Sequence, residues 1–209
     1  MKAIQSLRGK ANAGLLKRAE GLLDSKYGRL KRKLFYGLPR RVVEIGPGAG
    51  ANMRYYRPGT RLTAVEPNLR MHSHLRSTAR CHGIELEIRT VRGEAMDLAT
   101  ESVQALVGTL VLCTVDDPGK VLAEIRRILA PGGRYHFLEH VAAPAHSGLY
   151  RVQKLLNPPW RWLAEGCNLN RPTHQLLAAA AFTSLAMDCF SLGGRWLPVA
   201  PHIYGTATK

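Results

Sequence analysis

From Arg41 onward, short apolar runs alternate with stretches whose apolar residues recur every three or four positions, and no other feature of the chain narrows its fold so far. Apolar runs joined by helical segments are the pattern of parallel βαβ units. The runs predict strands near 41–46, 61–66, 85–91, 104–112 and 134–141. Helical patterns fall near 50–56, 68–82 and 117–130, with a looser segment at 94–101 and a further helical region over 146–180. In the clearest helix, Val121, Leu122, Ile125, Ile128 and Leu129 share one face, and Pro131, Gly132 and Gly133 end it. Two last runs, near 182–192 and 202–208, predict a closing hairpin. The expected fold is therefore α/β: a seven-stranded, mostly parallel sheet with helices on both faces and a C-terminal antiparallel hairpin.

The first strand runs into Glu44-Ile45-Gly46-Pro47-Gly48-Ala49-Gly50. Glycines without a Cβ let a backbone turn sharply and approach a ligand closely. Dinucleotide enzymes use a similar turn, but Pro47 removes a backbone donor where a pyrophosphate needs one. Glu44 adds a carboxylate, which is unfavourable beside a phosphate and suited to the amino group of a sulfonium ligand. About twenty residues on, Glu66 ends the second strand ahead of Pro67 and Asn68, where an acid accepts the two hydroxyls of a ribose. Gly93-Glu94-Ala95-Met96-Asp97 follows the third strand; Met96 is either a polarizable surface for an adenine or ordinary core.

The fourth strand leaves through Thr109-Leu110-Val111-Leu112-Cys113-Thr114, on the crevice where open α/β sheets bind their ligands. This loop is expected to line both the sulfonium ligand and whatever molecule reacts with it. Cys113 reads as a small buried hydrophobe more readily than as a nucleophile. The fifth strand ends in Glu139-His140, an acid and an imidazole at the same rim. An imidazole, with an unperturbed pKa of about 6.5, suits proton removal at neutral pH, and His140 is either the base of the reaction or a hydrogen-bonded structural residue. Asn157-Pro158-Pro159-Trp160 imitates the tetrapeptide with which amide N-methyltransferases hold a planar nitrogen, but it lies beyond the fifth strand instead of after the fourth.

No metal site is expected. Cys81, Cys113, Cys167 and Cys189 form no C-x-x-C pair, and His72 and His74, two apart on a helix, point to different faces. The same spacing suggests no disulfide framework and fits a reducing cytosol.

The chain carries a net charge of +15, and residues 1–41, with twelve basic and two acidic groups, account for ten of those charges. Residues 1–40 are accordingly read as a basic arm and 41–209 as one domain. In the arm Ile4, Leu7, Ala11, Leu15, Ala19 and Leu22 recur at three- and four-residue steps, as in an amphipathic helix. Such a helix packs its stripe on the domain, closes over the site, or lies on an anionic membrane or on nucleic acid. Arg8, Lys10, Lys17 and Arg18 interrupt what would have to be a signal h-region or a membrane span. The expected location is cytoplasmic, peripheral to a membrane if the arm binds one, and the expected state is a monomer.

Taken together, these motifs resemble the class I S-adenosylmethionine-dependent methyltransferases, whose fold is Rossmann-like. Within them the chain is similar to the alkyl thiol methyltransferase family. The blocks that carry this resemblance are Gly48-Ala49-Gly50-Ala51-Asn52, Thr109 to Cys113, Pro131-Gly132-Gly133, Phe137 to Ala143, Gly166-Cys167-Asn168-Leu169-Asn170-Arg171 and Pro201-His202-Ile203-Tyr204-Gly205. That family's members begin with an apolar membrane anchor, whereas this chain begins with the basic arm. The resemblance implies S-adenosyl-L-methionine as cofactor, with Glu44, Gly46, Pro47, Gly48, Gly50, Asn52, Glu66, Pro67, Asn68, Met71, Gly93, Glu94, Ala95, Met96, Thr109 and Leu110 as candidate cofactor residues. It implies an acceptor pocket of Cys113, Glu139, His140, Asn168, Arg171, His202 and Tyr204, with His140 as the catalytic candidate. The implied reaction moves the sulfonium methyl to a small-molecule thiol. The alternatives are N-, O- or C-methylation of a phospholipid head group or quinone, methylation of RNA, and a non-catalytic cofactor-binding regulator. Concentration of most of the charge in one arm, with no appended RNA module, argues against nucleic acid.

Overall fold

Period-two alternation sorts the strand side chains onto two faces, and the computed structural model, which describes residues 27–164, 166–194 and 197–209, shows what covers each. The parallel strands are β1 (Arg41–Ile45), β2 (Arg61–Val65), β3 (Glu85–Arg89), β4 (Val103–Thr109) and β5 (Leu129–His140). The antiparallel hairpin is β6 (Ser184–Ser191) and β7 (Pro201–Thr208), with β7 paired to β5. The sheet order is β3-β2-β1-β4-β5-β7-β6. Residues 27–35 are helical (α1), followed by α2 (His72–Cys81), α3 (Pro118–Ile128), α4 (Gly148–Leu163) and α5 (Thr173–Ala179).

One face buries Val43, Ile45, Leu106, Tyr135 and Phe137 against Val121, Leu122 and Ile125 of α3 and Leu177 of α5. The other buries Val42, Leu62, Ala64, Val107 and Leu138 with Tyr27, Leu34 and Phe35 of α1 and Leu75 and Ala79 of α2. At roughly 1.5–3 kcal/mol for each fully buried large apolar side chain, these two layers hold the helices to the sheet. Helix α3 starts where expected: the Asp117 side chain accepts from the Lys120 N–H at 3.1 Å, Pro118 opens the first turn, and Arg126 and Arg127 sit at the C-terminal end.

Three sequence expectations change, and a fourth, the decoy tetrapeptide, holds. The helix expected at 50–56 is only a 3-10 turn, Met53–Tyr55, because Gly46, Gly48 and Gly50 hold positive φ before it and Arg57-Pro58-Gly59 turns the chain into β2 after it. Strand β5 begins at Leu129, not 134: Val103 pairs with Leu129 and Ala105 with Arg134, so Pro131-Gly132-Gly133 is a bulge within the strand. A Cβ at Gly133 would meet the Ala130 and Val103 carbonyl oxygens at 2.8 Å, which is why glycine stands there. The Asn157-Pro158-Pro159-Trp160 decoy lies inside α4, where Asn157 Oδ1 accepts from the Leu169 N–H at 2.8 Å. Finally, α1 is packed into the domain, so the folded unit starts before residue 41. The apolar stripe Ile4 to Leu22 lies outside the described residues.

Candidate active site

The order of strands reverses between β1 and β4, and ligands in open α/β sheets bind outside the carboxyl ends of the strands at such a switch point. A cavity of about 410 Å³ lies there. Its wall holds Gly46, Gly48, Glu66, Pro67, Asn68, Met71, Gly93, Glu94 and Leu110 of the expected cofactor set, together with Ile45, Val65, Arg92, Val111, Thr114, Val115 and Asp116.

The glycine turn earns its residues differently. Gly46 has φ +60, and a Cβ on it would stand 2.8 Å from Val111 Cγ2, so the protein itself excludes a side chain. Gly48 has φ +57 and nothing within 4 Å, so its face opens on the cavity. Its N–H donates to Glu66 Oε2 at 3.0 Å, while Glu66 Oε1 accepts from the Asn68 N–H at 2.9 Å. The Glu66 carboxylate is thus held rigidly between the two loops. Glu94 Oε1 accepts the N–H groups of Asp116 and Asp117 at 3.1 and 3.3 Å, tying the loop after β3 to the loop after β4. Arg92 pairs with Asp116 at 2.7 Å across the mouth. With that pair neutral, Glu66 and Glu94 leave the wall acidic, which suits a cationic sulfonium and opposes a pyrophosphate.

Several expected residues stand elsewhere. Glu44 is 1% exposed on the opposite face of β1 from Ile45; its oxygens accept from Asn52 Nδ2 at 2.6 Å and Tyr56 Oη at 2.9 Å. Burial raises its pKa, which the Asn52 and Tyr56 hydrogen bonds and the Lys31 ammonium oppose. Asn52 also donates to Thr109 Oγ1 at 2.8 Å, so Glu44, Asn52 and Thr109 brace the turn from behind the cavity. Pro47, Gly50 and Ala95 are off the wall, and Met96 is in the core, with its N–H donating to Glu124 Oε2 at 2.8 Å.

The loop after β4 is gripped from two sides. Glu139, fully buried at the end of β5, accepts from the N–H groups of Val111, Leu112 and Cys113 at 3.0, 3.0 and 3.4 Å. Burial pushes its pKa up to about 8 despite those bonds. Arg171 Nη1 donates to the Leu112 and Val115 carbonyls at 2.6 and 2.7 Å, and Asn168 donates to the Cys113 carbonyl through its N–H at 2.8 Å and Nδ2 at 3.2 Å. Leu110, a non-glycine residue at φ +59, is held in the left-handed region at this loop. Of the expected acceptor set, then, Glu139, Asn168 and Arg171 shape the loop.

His140 is 3% exposed, and its imidazole lies with the Cys113 and Cys167 thiols so that one ligand atom from each falls within 4.8 Å of the others. Neither ring nitrogen has a hydrogen-bond partner among the described residues apart from the neighbouring Cys167 thiol. Cys113 Sγ is also 3.6 Å from the hydroxyl of Thr114, on the cavity wall. Hydrogen bonding to Cys167, then burial, holds the Cys113 thiol up; Cys113, then His140 and Trp160, favour the Cys167 thiolate. The ring of His202 meets that of His140 edge-on at 5.6 Å. His202 Nδ1 lies 3.0 Å from the Ala200 carbonyl, so Nδ1 carries the proton and Nε2 accepts from Tyr27 Oη at 2.6 Å. Burial pushes the His202 pKa down to about 4 and keeps it neutral. Tyr204 faces α1, accepting from Lys33 Nζ at 3.3 Å. His202 also lines a second cavity of about 530 Å³ beyond β5.

Sequence reasoning placed Cys113 and His140 at the crevice but missed Cys167 as their neighbour, because the three come from separate segments with no fixed spacing. Arg92 and Asp116 were legible only as the pair they form in space.

Residues 43–137 match the family described as Methyltransferase domain. The chain is 42% identical over 171 residues to the Homo sapiens thiol S-methyltransferase TMT1B, covering 80% of this chain and 70% of that protein. It is 38% identical over 190 residues to TMT1A of the same organism, covering 86% and 78%. A geranyl diphosphate methyltransferase solved with S-adenosylmethionine has the same fold at TM-score 0.69, with 17% identity, covering 90% of this chain and 86% of that one.

Proposed function

Because the chain belongs to the thiol S-methyltransferase family of S-adenosylmethionine-dependent enzymes, we propose that it methylates the sulfur of a small-molecule thiol and releases S-adenosylhomocysteine and a methyl thioether. The observation that carries this reading is an acidic, glycine-floored crevice at the sheet's switch point in a chain so close to two thiol methyltransferases.

The bound donor supplies a sulfonium methyl group, and the chain's residues supply its placement. Gly48 leaves room for close backbone approach, the fixed Glu66 carboxylate would accept the ribose hydroxyls, and Gly93 and Glu94 would border the adenine. Ile45, Val65, Leu110 and Val111 give the crevice an apolar lining from which a bound donor would displace water. Glu139 and Arg171 fix the loop after β4, which would hold an acceptor sulfur in one place, as in-line transfer of a methyl group requires. A thiol with a pKa of about 8.5 is only a few per cent ionised at neutral pH, so forming the thiolate is the remaining chemical demand.

The protein is further proposed to work on the cytoplasmic side of an anionic membrane, held by its N-terminal segment. The ten excess positive charges of residues 1–41 and the exposed Leu155 and Trp162 of α4 support this. No helix among the described residues is long and apolar enough to cross a membrane.

Labelled donor incubated with a panel of an alkyl thiol, a phosphatidyl amine, a quinol and bulk RNA tests the acceptor. Label is expected in the thiol; label in another acceptor alone rejects thiol methylation.

A further inference from the structure

We propose that Cys113, His140 and Cys167 bind a zinc ion whose fourth coordination position takes the acceptor thiol, an inference that rests on thiol methylation for the occupant of that position but not for the metal site itself. The three ligand atoms come from the loop after β4, the end of β5 and the loop after α4, and they already lie within 4.8 Å of one another. Tetrahedral zinc, with Zn–S of about 2.3 Å and Zn–N of about 2.0–2.1 Å, sets such atoms roughly 3.5–3.8 Å apart, so a small closing of side chains completes the site. Two sulfurs and one imidazole are a ligand set that selects zinc over harder cations.

The second observation is independent of that distance. His140 is 3% exposed, yet neither ring nitrogen is bonded to any group among the described residues other than the neighbouring Cys167 thiol, and an imidazole buried with only a thiol beside it is unfavourable unless a ligand bridges the two. The surroundings are already braced: the Cys113 backbone is held by Glu139 and Asn168, and His140 is packed against the ring of His202. Two thiolates and a zinc ion sum to no net charge, which makes burial tolerable. The charge added by a third thiolate falls near the Arg171 guanidinium, which is bonded to the Leu112 and Val115 carbonyls on either side of Cys113.

Three protein ligands with one open position is the arrangement of catalytic zinc, and a thiol that coordinates the metal is deprotonated outright. The acceptor's S–H proton passes to solvent as its sulfur binds. A lone pair on that sulfur then forms the new bond to the methyl carbon, while the bond from that carbon to the sulfonium sulfur breaks and leaves its pair on S-adenosylhomocysteine. The thioether product carries no charge and coordinates more weakly, so it leaves. His140 is thereby a metal ligand and not the base that removes the substrate proton.

The full chain, purified without a histidine tag, reduced, and dialysed against zinc and then against metal-free buffer, is assayed for metal by inductively coupled plasma mass spectrometry. A single zinc per chain is expected, and cobalt in its place should give thiolate-to-cobalt charge-transfer absorption. Cys113→Ser, Cys167→Ser and His140→Gln should each weaken zinc on the order of 10²-fold or more, whereas Cys81→Ser and Cys189→Ser, at exposed cysteines outside the cluster, should retain it. Calorimetric binding of S-adenosylhomocysteine identifies which variants are folded. Reduced wild-type chain that binds S-adenosylhomocysteine but takes up no zinc overturns the site, as does zinc retained in all three ligand variants. Zinc bound by wild type and lost in those variants, with label entering a lipid amine instead of a thiol, supports the metal site and rejects the thiol as its fourth ligand.

Discussion

Replacing Glu66 separates its two tasks, holding the loops and holding the ligand. The carboxylate is 6% exposed and accepts one backbone N–H through each oxygen, from Gly48 at 3.0 Å and from Asn68 at 2.9 Å. Each oxygen keeps lone-pair capacity for a ribose hydroxyl. A hydrogen bond to a charged group contributes about 1.5–3 kcal/mol, and water in an open crevice offsets part of it, so the lower figure applies to each of the two bonds. Their sum of about 3 kcal/mol corresponds to a loss of affinity for S-adenosylhomocysteine on the order of 10²-fold in Glu66→Ala. Glu66→Gln keeps one acceptor and should lose roughly tenfold. Losing the Gly48 and Asn68 bonds destabilises the alanine variant by about 1 kcal/mol each, since water reaches both N–H groups. Calorimetric titration of S-adenosylhomocysteine beside thermal unfolding reads both effects. A folded alanine variant that binds within twofold of wild type would falsify the role given to Glu66.

Gly46→Ala and Gly48→Ala both force a non-glycine residue into positive φ, at about 1–2 kcal/mol, but only the first also drives a Cβ into Val111; urea denaturation should show Gly46→Ala the less stable, while calorimetry shows Gly48→Ala losing the ligand with smaller damage to the fold. Burial, then Arg134, holds His136 down to about 4, so its contribution to stability is complete above the unfolded pKa of 6.5 and is lost as pH falls toward 4. Between pH 7 and pH 5 wild type should lose roughly 1–2 kcal/mol from this group, and His136→Gln should lose less, as read by urea midpoints; equal losses would contradict the account. Deleting residues 1–25 leaves Tyr27 and the rest of α1 packed, so turnover of a soluble thiol should persist while sedimentation with anionic vesicles disappears; loss of folding would place the deleted segment in the core instead.

The strand exits were legible because they combine two local signals, an apolar run and the residue types its turn requires. Gly46, Gly48, Glu66 and Gly93 fall on the cavity wall for that reason. Glu44 was misplaced by the same logic taken one step too far. Proximity in sequence to the glycine turn does not fix which face a strand residue occupies, and period-two alternation turns Glu44 away from Ile45 toward Asn52 and Tyr56. The bulge in β5 was hidden because Pro131-Gly132-Gly133 reads equally well as a helix stop. The Cys113, His140 and Cys167 cluster was invisible because metal-ligand spacing rules apply to ligands on one hairpin or helix, and these meet only when β4, β5 and the loop after α4 are brought together.

The central claim is transfer of the donor's methyl group to sulfur, and a single turnover with a trideuteriomethyl donor tests it most directly. Enzyme in excess over donor is mixed with an alkyl thiol, and mass spectrometry follows both products in time. The prediction is that trideuteriomethyl thioether and S-adenosylhomocysteine appear together, in equal amounts and at the same rate. S-adenosylhomocysteine forming without the labelled thioether, with any thiol tried, would contradict it.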